Sequence, residues 1–432
     1  MKKFLVIILA LFMLVSMTAC GKAPAGEPVA EPEKPADVAY NTEVEPFRVA
    51  VFIALTGANA NSAVFQIQAL DLAVEQINNH GGIEGLDGAP IELVYCDNMS
   101  DANAMKTVVE NALEDESINF AMFPLASTYT APAIATLSKL QCPALTTSQA
   151  DSIFDQGCDY IYGIAQVSSK AAAVTTQFVS YLAEKYGVDT SRIGCVAVDN
   201  DYGRMNMETF EKRYSAMDGY ELIYSEAYPA DTADMSSIVT ALKNKDVQLL
   251  HSINLDQDGK LFFATIKGMN YNPLVIGGGS GIMYPTFIEA CGPVLEGVLS
   301  GTHTNPNASN TEDDEMFQEL KAMCYDKYGH YGGEFLVSYY SQMQVLHQLL
   351  NETKSYDRQV NNKAMKELEF HTLFPKIDAD GNYTDIQYFD EKGTSPNSTT
   401  EMAQFQYDAN GELWPTCVYP EALASAEIQW NR

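Results

Sequence analysis

Serine and glycine cluster at Gly277-Gly278-Gly279-Ser280-Gly281, where a nucleophilic serine would first be sought. The Gly-x-Ser-x-Gly elbow requires glycine at 282, and the chain has Ile282. No Gly-x-Gly-x-x-Gly fingerprint or Walker loop is present either, so the run reads as a strand end of small residues where backbone comes close to a neighbour or ligand. Six histidines, His80, His251, His303, His330, His347 and His371, form no i, i+4 pair, which argues against a catalytic zinc. Asp378, Asp380, Asn382 and Asp385 carry oxygen ligands, but a calcium loop needs glycine at its sixth position and glutamate at its twelfth; a solvated turn is expected. With no nucleophile beside a base, the chain is expected to be no enzyme, with neither metal nor cofactor.

The positive signals stand at strand ends. Pro124-Leu125-Ala126-Ser127-Thr128 follows an apolar run and opens a helical one, so Ser127 or Thr128 can cap a helix whose free N-H groups suit a carboxylate. Thr147-Ser148-Gln149-Ala150 ends the very next strand, and parallel sheets gather ligands at the carboxyl ends of their strands.

The elements that must position these residues alternate in type. Arg48 to Leu55 reads as a strand, and Leu70, Ala73, Val74 and Ile77 then fall at i, i+3, i+4 and i+7 of a helix. Strands at Ile91 to Cys96, Ile118 to Phe123 and Pro143 to Thr147 follow, with helices between them, the last from about Thr130 to Leu140. The pattern restarts with a helix carrying Val179, Leu182, Ala183 and Tyr186, a strand at Arg192 to Val198, a helix at Gly203 to Met217, and strands at Glu221 to Tyr224, Val247 to Ile253 and Pro273 to Ile276. Two α/β units in series, each a parallel sheet covered on both faces, are the expected fold class. Helices at Glu312 to Lys327 and Glu334 to Asn351 come next, then hairpin material marked by Asp380-Gly381-Asn382 and Asn410-Gly411.

Lys2 and Lys3 precede an apolar run, Phe4 to Ala19, that falls short of the roughly 20 residues of a membrane-spanning helix and reads as a signal peptide over 1–19. Met17-Thr18-Ala19-Cys20-Gly21 resembles a bacterial lipobox, which would make Cys20 the lipidated first residue of the mature chain. Residues 20–46, rich in Pro, Ala and Glu, form the expected linker between lipid and domain. The remainder is too long for one core, so two lobes are expected. A formal net charge of -31 makes nucleic acid an improbable partner. Seven cysteines beyond Cys20 cannot all pair within one chain; several lie in apolar strands as reduced thiols, and their pairing stays open.

The chain resembles the type I periplasmic binding proteins of the leucine/isoleucine/valine-binding branch from about Phe47 to Ala426. The stretches that carry this are Leu70 to Gly85 (LDLAVEQINNHGGIEG), Ile91 to Ala102, the PLAST turn, Val198 to Gly203 (VDNDYG), Phe389 to Gly393 (FDEKG) and Val418 to Ala424 (VYPEALA). The resemblance implies two lobes, 47–166 with 300–400 and 167–299 with 401–432, joined by three crossings and closing on a solute. It places Ser127 or Thr128 at the solute carboxylate. Ser148, Ala150 and Ser168 fall where relatives meet the ammonium, although Ala150 lacks the usual hydroxyl and Ser168 replaces a frequent Asp. Ser62 falls where relatives place an aromatic over the ligand, with Phe65 one helical turn away, Tyr202 at an aromatic wall and Asp256 at the acidic partner of the ammonium. Ser100 and Ala126 occupy the family's disulfide positions, so that bridge is absent. The implied function is an extracytoplasmic, lipid-anchored, monomeric receptor that hands an amino acid, or a related small carboxylate or amide, to an ABC permease. The alternatives are a sensor using the same cleft for a membrane signalling protein and, more remotely, an envelope enzyme or assembly factor.

Overall fold

In the computed structural model the described residues are 40–57, 59–124, 127–278, 281–408 and 411–430. The expected signal peptide, Cys20 and all of the linker before residue 40 lie outside them. Strand β1 (Phe47–Ile53) is buried on both faces, as a central strand of a parallel sheet must be. It pairs in parallel with β2 (Ile91–Asp97) on one side and β3 (Phe120–Phe123) on the other, and β4 (Ala144–Thr146) and β5 (Ile161–Gly163) continue the sheet in the order β2-β1-β3-β4-β5. The second sheet has the order β14-β13-β10-β9-β8-β6-β7. Its parallel part comprises β6 (Ile193–Val198), β7 (Leu222–Tyr228), β8 (Leu249–Ile253), β9 (Leu274–Gly278) and β10 (Leu299–Thr302). After a two-stranded pair, β11 (Phe370–His371) with β12 (Ile386–Gln387), the chain returns to add β13 (Glu401–Tyr407) antiparallel to β10 and then β14 (Leu413–Tyr419) antiparallel to β13.

Two helices differ from expectation for local reasons. The segment expected as one helix over 312–327 is two, Ser309–Glu312 and Glu315–Tyr328, because Asp314 accepts from the Phe317 N-H at 2.7 Å and starts a fresh helix. The one expected from Thr130 begins at Ser127 and tightens into a 3-10 turn over Ala131–Ala133 at Pro132. At the suspected calcium loop, Asp378 Oδ1 accepts from the N-H groups of Asp380 and Asn382, both at 2.9 Å, which is the geometry of a turn. Gly203 and Gly393 are obligatory: a Cβ at the first would sit 1.9 Å from the Val198 carbonyl oxygen, and at the second 2.1 Å from that of Ile161.

The chain passes between the sheets after β5, after β10 and before β13. The first and third passages are stitched by buried polar groups. Gln166 Nε2 donates to the Ser398 carbonyl at 2.8 Å, its Oε1 accepts from the Thr400 hydroxyl at 3.1 Å, and the Ser398 hydroxyl reaches the Ile164 carbonyl at 2.7 Å. At the second passage Thr302 donates to Glu334 at 3.0 Å, and Thr304 meets Ser338 at 3.1 Å. Gln166→Ala would leave Ser398 and Thr400 without these partners in a buried site. It should lower stability by about 2 kcal/mol, read as a shift of the urea midpoint with unchanged slope.

Glu401 opens β13 opposite Thr302 and is 1 % exposed. Both its carboxyl oxygens lack a well-formed hydrogen bond, and burial pushes its pKa up to about 8 despite the nearby Cys417 thiol and Asn305 N-H. The folded chain therefore holds a proton that the unfolded chain releases near 4.5. Stability from this group is complete below pH 4.5 and declines, by on the order of 1 kcal/mol per pH unit, up to about pH 8. His251 and Lys376, pulled by burial down to about 3 and about 7, act with opposite sign, losing stability as pH falls. The gap in melting temperature between Glu401→Gln and the parent should thus widen in the variant's favour from pH 5 to pH 8; a constant gap would refute a neutral Glu401.

Candidate functional site

The carboxyl ends of β1 to β4 present one continuous polar edge. Asp97, ending β2, accepts at Oδ1 from the N-H groups of Leu55, Thr56 and Met99 at 2.9, 3.2 and 2.8 Å, and at Oδ2 from the Thr56 hydroxyl at 2.7 Å. Desolvation raises this carboxyl, but those hydrogen bonds outweigh it and hold it below the usual carboxylate range. Ser100 donates to the Thr56 carbonyl at 2.9 Å and accepts from the Asn59 N-H at 3.0 Å. Ser100 thus fastens the loop after β1 by hydrogen bonds. All seven described cysteines are free, and burial raises the thiols of Cys142 and Cys195 to about 12.

Four of the expected site residues meet at one corner. Ser127 Oγ accepts from the backbone N-H groups of Gln149 and Ala150 at 3.2 and 3.1 Å, tying the end of β3 to the end of β4. Among the described residues its own proton meets no acceptor. Ser148 is buried; its hydroxyl is paired with that of Thr130 at 2.7 Å and its N-H donates to Thr146 Oγ1 at 2.9 Å. Ala150 precedes the short helix Asp151–Phe154 and presents a methyl group. The Ser168 N-H donates to the Gln149 carbonyl at 2.8 Å and begins the first helix of the second unit, so this corner is continuous with the first passage between sheets. Thr128 is exposed beside Ser127.

A second group forms around Tyr284, in the loop after β9. Its ring lies 5.5 Å from Phe65 and 5.4 Å from Phe335, and its hydroxyl, raised above the ordinary phenol range by burial, adjoins Ser62. Phe65 also meets His330 edge-on at 5.3 Å. Ser62 donates to the Asn59 carbonyl at 2.9 Å, and the Asn59 amide reaches the Tyr129 hydroxyl, two residues from Ser127. Residues of both units are thereby linked along one edge.

Asp256 is the first residue of helix Asp256–Gly268, which follows β8, and Gly281 packs against it. Its Oδ2 accepts from Lys260 and Gln257, each at 2.9 Å, while Oδ1 is buried with no hydrogen-bond partner. Asp258, one position inward of Gln257, is structural: it receives the Leu255 N-H at 3.0 Å and the Tyr228 hydroxyl at 2.6 Å. The side chain of Tyr202 lies outside the described atoms; its backbone belongs to helix Asp201–Tyr214, capped by Asn200, which accepts from the Gly203 N-H at 2.8 Å.

Sequence reasoning missed Tyr284, Tyr129, Asn59 and Lys260. Only Lys260 had a local signal, its i, i+4 spacing from Asp256. Among the described residues no group of three or more His, Cys, Asp or Glu side chains is placed to hold a metal, and no helix is long and apolar enough to cross a membrane.

The family profile described as periplasmic binding protein matches residues 46–412. The Leu/Ile/Val-binding protein homolog 7 of Brucella suis biovar 1 is 24% identical over 372 residues, covering 84% of this chain and 88% of that one. Among solved structures, the branched-chain amino acid transporter substrate binding protein LivJ from Streptococcus pneumoniae, in complex with isoleucine, superposes with TM-score 0.68 at 18% identity, over 86% of this chain and 100% of the other. A solute binding protein of an ABC transporter from Rhodopseudomonas palustris BisB5, in complex with 3,4-dihydroxy benzoic acid, gives TM-score 0.68 at 16% identity, over 86% and 96%. These relatives are solute-binding proteins. With one parallel sheet and one mostly parallel sheet, three passages between them and a profile match across nearly all of the described chain, the protein belongs to the periplasmic binding protein family and has its type I fold.

Proposed function

We propose that this chain is the solute receptor of an ABC importer and captures an amino acid, or a related small carboxylate or amide, between the Ser127 corner and Asp256. The carrying observation is the polar edge on which Ser127 accepts two backbone N-H groups and donates its hydroxyl proton to no described residue, while Asp256, on the other unit, keeps an unpartnered oxygen. The complexes of the relatives support it, since isoleucine and 3,4-dihydroxy benzoic acid share a carboxylate and little else. The lobes in this reading are 47–166 with 300–400 and 167–299 with 401–432. Thr128, Ser148, Ala150, Ser168, Ser62, Phe65 and Tyr202 line the space between them. Cys20 carries the lipid, the linker holds the monomeric receptor beside the permease outside the cytoplasm, and hinge closure signals occupancy.

Isothermal calorimetry of the soluble domain against a panel of amino acids, small carboxylates and amides should give a dissociation constant near micromolar, about 8 kcal/mol. Silence across the panel from a folded sample would sink the proposal. Asp256→Ala should abolish binding with little change in melting temperature. Asp258→Ala should do the reverse, because it strands the Tyr228 hydroxyl and the Leu255 N-H at about 2 kcal/mol. Labelled palmitate should enter the full chain in bacterial cells and fail to enter Cys20→Ala.

A further inference from the structure

Asp256 would be the obvious receiver of a solute ammonium, yet its charge is already answered. Lys260 Nζ sits 2.9 Å from Oδ2 on the next turn of the same helix, and the pair is only part-exposed, at 24% and 34% for Lys260 and Asp256. A second ammonium on the same carboxylate would face Lys260 at short range in a partly desolvated place. The remaining oxygen, Oδ1, is buried and has no partner, an arrangement that costs free energy until a donor arrives. A neutral O-H or amide N-H supplies that hydrogen bond and adds no charge.

The other described carboxylates along the edge are occupied as well. Asp97 takes four hydrogen bonds, Asp151 takes the Ser169 N-H and hydroxyl, and Asp199 is paired with Arg204. Asp258 holds Leu255 and Tyr228, and Glu334 holds Thr302. Ala150 and Ser168, at the corner next to Ser127, add no negative charge.

We propose that the cleft selects a carboxylate whose second polar group is a neutral hydrogen-bond donor, a hydroxyl or an amide, over the amino acid of the same skeleton, with Asp256 Oδ1 as the acceptor and Lys260 as the specificity-determining residue. This rests on the reading of the cleft as a solute site and narrows its solute class.

The test uses matched pairs that differ only in that group: L-2-hydroxyisocaproate against L-leucine, L-phenyllactate against L-phenylalanine, and 4-(hydroxymethyl)benzoate against 4-(aminomethyl)benzoate, titrated calorimetrically at pH 7 into the parent and Lys260→Met. The hydroxyl member should bind at least tenfold tighter in the parent for every pair that binds. In Lys260→Met, which removes the cation beside Asp256 and leaves Gln257 on Oδ2, the ratio should fall at least tenfold toward the ammonium member. Equal or tighter binding of the ammonium members in the parent, or an unchanged ratio in a folded Lys260→Met, overturns the inference and leaves the solute site standing. Absence of heat from every pair in a folded parent overturns both.

Discussion

The structure depends on the three passages of chain between the two sheets, and these are polar. A buried glutamine, Gln166, satisfies both its amide ends on the third passage, and hydroxyls of Thr302 and Thr304 do the same work against Glu334 and Ser338. Polar stitching of this kind is directional, so it fixes the register of the crossings, while an apolar core would tolerate sliding. The same segments bury the Glu401 carboxyl and so raise its pKa, which puts a desolvation cost at the junction.

From that junction the geometry of the cleft edge follows. The first passage begins where Ala150 and Ser168 converge on Gln149, and Ser127 closes the same corner from β3. On the far side Tyr284 leans across to Ser62 and Phe65, so the aromatic cluster there draws on both units. Between these corners the carboxylates that look like ligand groups in one dimension are mostly employed in holding loops. Asp97 organises the turn after β1, and Asp258 anchors Tyr228. Asp256 differs because one of its oxygens is left over.

Much of the fold was legible beforehand because parallel α/β structure leaves periodic marks. Apolar runs such as Phe47–Ile53 and the helical spacing of Leu70, Ala73, Val74 and Ile77 are local consequences of burial on two faces or one. The break at Asp314 and the 3-10 turn at Pro132 were less legible, since capping and proline geometry compete with a periodicity that runs straight through them. Strand β7 reaches Tyr228, beyond the expected Tyr224, because its residues Ser225 and Glu226 face solvent at a sheet edge and carry no apolar signal.

Of the site, the sequence by itself marked the polar strand ends, Ser127 with Thr128 and Ser148 with Ala150, where short polar stretches interrupt apolar strands; Ser168 and Asp256 came only through the family resemblance. The sequence also ruled against nucleophile and zinc patterns, because those chemistries demand fixed local spacings. Only the tertiary structure decided which polar groups are spent and which are free. Ser148 is spent on Thr130, Asp258 on Tyr228 and half of Asp256 on Lys260, while Ser127 donates to no described residue and Asp256 keeps an oxygen. Hydrogen-bond satisfaction is a sum over neighbours in space, many of them distant in sequence, so no reading along the chain can complete it.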